Sequence, residues 1–88
     1  MDRIEVILIF EIKETPTNFQ EILKQEQEIV SIWKQQGILE HLFLRQSRDG
    51  AILIFKNVDE QKAKELVEGL PLYQFKKNVN YYNLVKQF

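Results

Sequence analysis

Residues 3–12 read R-I-E-V-I-L-I-F-E-I, a β-branched and aromatic run in which Ile4, Val6, Leu8, Phe10 and Ile12 recur at every second position. Successive side chains of a strand point to opposite faces, so this spacing places all five on one side of a sheet. The residues between them are Glu5, Ile7, Ile9 and Glu11, which makes the other side apolar at its centre and charged at its ends. A strand that is apolar on both sides needs cover on both sides. With 88 residues there is room for one hydrophobic core, and residues 1–88 are read as a single domain.

The remaining elements follow from periodicity and from turn residues. Residues 14–18 form a loop, and Thr17 followed three positions later by Gln20 fits a capping box, which predicts a helix with Thr17 as its N-cap. Phe19, Ile22, Leu23, Val30 and Trp33 recur with the helical period, Ile29 widens the same stripe, and Gly37 suits the C-terminal cap. Residues 38–45 and 51–55 read as two strands joined by the turn formers of 46–50, which makes a hairpin. Asn57 or Asp59 caps a second helix whose apolar face is Ala63, Leu66, Val67 and Leu70, and Gly69 with Pro71 stops it. A last strand over 75–85 is rich in Asn and Lys, as an edge or interface strand is.

The order strand, helix, strand, strand, helix, strand predicts an α+β fold of the ferredoxin-like βαββαβ type. Its four-stranded antiparallel sheet carries both helices on one face. The uncovered face holding Ile7 and Ile9 would leave an apolar patch in water, so the chain is expected to form at least a homodimer.

Charge and composition exclude several classes. Twelve Lys plus Arg against thirteen Asp plus Glu are interspersed without a basic stripe, which argues against nucleic acid as the main partner. The chain has no cysteine, hence neither disulfides nor a thiolate nucleophile. The apolar run 4–12 is broken by Glu5 and Glu11 and falls short of the roughly 20 residues of a membrane span. It also begins too soon after Met1, without a small-residue cleavage site, to read as a secretory signal, so cytoplasmic residence is the default expectation. The three glycines are isolated and build no phosphate loop, and no Ser/His/Asp triad can be argued from spacing.

Two residues carry candidate chemistry. Glu26 lies three after Leu23, four before Val30 and seven after Phe19, which sets a carboxylate within the apolar stripe of the first helix. A buried carboxylate prefers its neutral form unless a partner stabilises the charge, and such a group is poised for proton transfer near neutral pH. The alternative is that Glu26 sits at the edge of the stripe and reaches water or a lysine. His41 is the only histidine and falls mid-strand, on the face that simple alternation shares between Leu39 and Phe43. Histidine is the side-chain type suited to proton transfer, yet no Cys or second His accompanies His41 to make a zinc site, so a catalytic group and a hydrogen-bonded structural histidine both remain open. The aromatics Trp33, Phe43, Tyr73, Phe75, Tyr81 and Tyr82 belong to core or interface, or line a ligand pocket. Lys76-Lys77 reads as a solvated edge.

Residues 24–73 resemble the muconolactone isomerase family of dimeric α+β barrels. The resemblance rests on Gly37 with His41-Leu42 four residues on, on Phe55 at the end of the third strand, and on Leu70-Pro71-Leu72-Tyr73 after the second helix. Glu26 and His41 fall on positions where that family has Glu and His. The resemblance implies the fold, homo-oligomers built from dimers, and a cofactor-free isomerase that moves a proton within an unsaturated lactone. Departures are visible too: Glu40 stands where an Arg is common, Phe43-Leu44 replace Trp-Arg, Lys56 replaces an Asp, and a hairpin Tyr has no counterpart. Lost arginines remove the planar charged groups best suited to gripping a carboxylate. Two readings therefore stand: an isomerase in which Glu26 moves the proton with His41 assisting, and a non-catalytic oligomeric module that binds a small apolar ligand.

Overall fold

In the computed structural model, which describes residues 2–88, the run that opens the chain becomes strand β1 (Asp2–Phe10). It lies inside the sheet with a neighbour on each side. Val6 sits between Leu53 and Tyr81, and Ile7 sits between Ile52 and Asn80. Along the chain follow α1 (Phe19–Gln35), β2 (Leu39–Leu44), β3 (Gly50–Lys56), α2 (Glu60–Glu68), a short 3-10 helix (Pro71–Phe75) and β4 (Lys76–Val85). The strand order is β2-β3-β1-β4, and every neighbouring pair is antiparallel. This is the ferredoxin-like α+β arrangement that the element order predicts, with β4 at one edge.

One core lies between the sheet and the helices. Ile4, Val6 and Leu8 of β1 and Leu53 and Phe55 of β3 pack with Trp33 of α1 and with Ala63 and Val67 of α2, all buried. The Trp33 and Phe55 rings meet at 5.5 Å between centroids, tilted by 57°. Large rings pressed together in this way contribute more than their buried area alone.

Each helix end has a physical cause. Thr17 does not cap α1: the N-cap is Asn18, and its side chain makes no capping bond. The Phe19 N–H donates to the Pro16 carbonyl at 3.2 Å, and this turn holds Asn18 at φ −97° and ψ 24°, away from the extended shape in which a cap side chain reaches back to the helix. The other end follows the Schellman pattern. The Gly37 N–H donates to Lys34 O at 3.1 Å and the Ile38 N–H to Trp33 O at 3.1 Å, with Gly37 at φ +76°. A Cβ at Gly37 would meet nothing within 4 Å, so substitution there is opposed by the backbone alone. Gly37→Ala is expected to cost about 1–2 kcal/mol in urea unfolding. For α2 the cap is Asp59, whose Oδ1 accepts from the Lys62 N–H at 2.7 Å. Asn57 instead adopts φ 62° and donates from Nδ2 to Gly37 O at 3.4 Å, which ties the end of β3 to the end of α1.

Among the described residues nothing layers over the other sheet face. Ile7 and Ile9 of β1 and Ile52 and Ile54 of β3 lie there half-buried, flanked by Phe43 and Tyr82, which are 56% and 46% exposed. At one end of this face Arg3 donates two hydrogen bonds to Glu40, at 2.8 and 3.1 Å. The guanidinium holds the Glu40 carboxyl below its ordinary range, and Lys86 approaches the same carboxylate at 3.9 Å.

Strand β2 breaks the simple alternation. Leu39 pairs with Phe55, but His41 pairs with Ile54 because the register shifts between them. The extra residue, Glu40, is a β-bulge, and every side chain beyond it changes face. Leu42 and Leu44 therefore turn toward the helices, opposite Leu53 and Ala51, while His41 and Phe43 turn to the open face. His41 shares a face with Phe43 as alternation predicts, but not with Leu39.

Candidate functional site

The apolar stripe of α1 is buried at Ile22 and at Trp33, whereas Glu26, Ile29 and Val30 between them are half-buried. Helix and sheet stand apart over this middle stretch and enclose a cavity of about 480 Å³. That size falls within the range of about 300–1,000 Å³ typical of small-molecule sites. Its floor is Leu8, Phe10, Ala51 and Leu53 of the sheet. Leu23, Glu26 and Val30 of α1 form one wall, and Leu70 and Leu72 form another. Gln27, Ser31, Leu42 and Leu44 line the mouth, where Leu44 is 77% exposed. The bulge in β2 is what brings Leu42 and Leu44 to this side of the sheet.

Glu26 is held in place by the backbone. The Leu72 N–H donates to its Oε1 at 3.1 Å. This donor is available for a local reason: Pro71 opens the 3-10 helix, Leu70 before it is extended at ψ 139°, and the first N–H groups of a helix have no partner within it. The carboxylate thereby ties the middle of α1 to the segment that follows α2. Glu26 makes no other hydrogen bond or ion pair among the described residues, and its side chain lines the cavity. Burial raises the Glu26 carboxyl above its ordinary value, and the Leu72 hydrogen bond offsets part of that rise.

The raised value has a consequence for stability. A carboxyl that holds its proton more tightly in the folded chain than in the unfolded one adds stability below the unfolded value, and that stability is lost as pH rises through the folded value. Urea unfolding of the wild type and of Glu26→Gln should therefore diverge as pH climbs from below 4.5, with the wild type losing ground to the variant. Taking the difference between the two cancels the opposite trends of Glu40 and Asp49, whose carboxyls are held low by Arg3 and by Ser47. A difference that stays flat across that range would mean that Glu26 is solvated.

His41 does not join Glu26. It lies across the sheet on the open face, with its side chain 58% exposed, stacked on Phe43 at 6.0 Å and with Nε2 3.9 Å from Glu40. Within one chain the sheet separates the two groups. What the sequence leaves unseen in the site is the Leu72 N–H, because a backbone donor has no side-chain signature; Pro71 is the one residue that hints at it. Among the described residues no cluster of His, Asp or Glu could hold a metal ion, and no helix is long and apolar enough to cross a membrane.

No protein-family model matches the chain, and no curated protein matches it. Solved structures do. A muconolactone isomerase superposes over 97% of this chain and 90% of its own, with a TM-score of 0.79 at 14% identity. An antibiotic biosynthesis monooxygenase covers 98% of both chains with a TM-score of 0.63 at 11% identity. A 5-chloro-2-hydroxyhydroquinone dehydrochlorinase from Burkholderia phenoliruptrix covers 90% of both with a TM-score of 0.56, also at 11% identity. Identities this low speak for the backbone alone, and on that level sequence and structure agree: the chain has a muconolactone isomerase-like fold.

Proposed function

We propose that this protein is a cofactor-independent isomerase that moves a proton within a small unsaturated lactone or a related carbonyl compound, with Glu26 as the proton carrier. The observation that supports this reading is a half-buried carboxylate, bonded to the Leu72 N–H alone, facing an apolar cavity of ligand size. Removal of a proton from the carbon beside a carbonyl leaves an electron pair that spreads into the carbonyl oxygen and the adjoining double bond. Return of the proton to the far carbon shifts the double bond, and no atom is gained or lost. A carboxylate raised above its ordinary value is a stronger base once ionised, which favours the first step. Once a ligand fills the cavity, its apolar walls limit exchange of the abstracted proton with water before it is returned. The Leu72 N–H fixes one oxygen of the carboxylate and leaves the other without a hydrogen bond, free to act as the base.

His41 has no part in this path within one chain; it belongs to the face on which two copies would meet. The homodimer is part of the same reading, since Ile7, Ile9, Ile52, Ile54 and Phe43 form an apolar centre without cover. Light scattering at micromolar concentration should give at least twice the mass of one chain, and a monomer would remove this part of the proposal.

One observation favours the second reading, a module that binds an apolar ligand without reacting. Apart from Glu26, the polar side chains of the cavity are Gln27 and Ser31, both exposed at its mouth. Among side chains, only these two can donate to an oxygen that gains charge during the reaction. The deciding experiment is incubation with α-angelica lactone, an uncharged lactone with a methyl substituent, in deuterated water, followed by NMR. Conversion to the conjugated isomer supports the isomerase. Binding without conversion, across a panel of lactones and enones, favours the binding module.

A further inference from the structure

Resting on the reading of Glu26 as the reacting carboxylate, we infer that the cavity selects uncharged ligands, lactones or enones with alkyl or ester substituents, and rejects those that carry a carboxylate. The wall chemistry carries the argument. The floor and both walls are aliphatic or aromatic apart from Glu26, and no Lys, Arg or His side chain lines the cavity among the described residues. Three cations elsewhere in the fold have partners of their own. Arg3 is bonded to Glu40 at the open face, Lys64 lies over the Tyr81 ring at 5.5 Å, and Lys76 lies over the Tyr73 ring at 5.1 Å.

A ligand carboxylate entering this space would shed water without gaining a counter-ion, which is strongly unfavourable. It would also meet the ionised Glu26, and two carboxylates in one apolar site cannot both stay charged without raising each other's proton affinity. Glu26 itself shows what the environment does to a carboxylate, since burial alone pushes its carboxyl upward. An uncharged ring pays neither cost. Its body replaces water against Leu8, Leu23, Leu53 and Leu72, while its carbonyl end can turn to Gln27 or Ser31 at the mouth. Selection here works by exclusion: the site rejects the charged competitor instead of holding the neutral one by a specific bond.

The test uses the full chain and three probes: α-angelica lactone, the same ring with a carboxymethyl group in place of the methyl, and the methyl ester of that carboxymethyl lactone. Acid and ester share ring and chain and differ in charge, so their comparison separates charge from size. Dissociation constants come from NMR titration of the backbone amides at pH 7. The methyl lactone and the ester should bind with similar affinity, shifting Leu72 and the middle of α1, and the acid should bind at least tenfold more weakly. In Glu26→Gln the gap between acid and ester should narrow, because one of the two like charges is gone. An acid that binds as tightly as its ester overturns the inference; if its isomerisation then depends on Glu26, the isomerase reading stands without it. An ester preferred tenfold over the acid but never isomerised supports charge exclusion and overturns the isomerase. Failure of all three probes to shift the cavity residues overturns both.

Discussion

Glu26→Gln should lower the rate of lactone isomerisation by about 10²–10⁴-fold, the contribution usual for a positioned general base, and should leave the fold intact. The amide keeps the shape of the carboxyl and keeps an oxygen that accepts from the Leu72 N–H, so the link between α1 and the segment after α2 survives. It cannot take a proton from carbon. The loss should appear in kcat, with the affinity for an uncharged lactone nearly unchanged, because in the proposed reaction the walls would supply the binding and the carboxylate the chemistry. Glu26→Leu makes a useful contrast. It removes the base and also the acceptor for Leu72, so it should be equally inactive and less stable than Glu26→Gln by about 1–3 kcal/mol, the cost of leaving a buried donor unpaired. A Glu26→Gln variant that retained a tenth or more of the wild-type rate would assign the proton to another group.

Gly50→Ala should be the most damaging small substitution in the sheet, costing about 3 kcal/mol, the upper end of the usual penalty for overpacking. Gly50 opens β3 opposite Ile9. A Cβ there would lie 2.5 Å from the carbonyl oxygen of Leu8, 3.1 Å from Cδ of Arg45 and 3.2 Å from Cδ1 of Ile9. The two side-chain atoms can move aside; the backbone oxygen cannot, because Leu8 is buried in the middle of the sheet. Relief requires β1 and β3 to separate, and that displaces Leu8 and Ala51, both of which floor the cavity. Urea unfolding at neutral pH reads the stability, and the same protein should bind lactones more weakly. A loss below about 0.5 kcal/mol, the size typical of an ordinary surface change, would show that the strands are not this close.

The elements that sequence reading finds are those whose signals are local and repeated. The alternation of β1 shows its two faces directly, and the helical phase of Glu26 between Leu23 and Val30 puts it at the buried side of α1, where the structure has it half-buried on the cavity. Asp59 and Gly37 mark helix ends through local backbone chemistry, and both do so in the fold. What escapes is set by one residue changing the phase of others. Nothing in Leu39-Glu40-His41-Leu42 announces a bulge, yet the bulge sends His41 to the open face and brings Leu42 and Leu44 to the cavity mouth. Thr17 has a capping sequence, but the turn closed by Pro16 and Phe19 competes with it and prevails. The partner of Glu26 is a backbone N–H 46 residues away in the sequence, and no pattern of side chains encodes it.

On the proposed reading Glu26 is a desolvated carboxylate facing a ligand cavity. Titration of its carboxyl carbon by NMR, with and without α-angelica lactone, tests that claim most directly. A midpoint above the ordinary 4.5 is expected in the free protein, with a shift of the carboxyl resonance when the lactone is added. A midpoint at or below 4.5, together with a resonance that ignores the lactone, would contradict it.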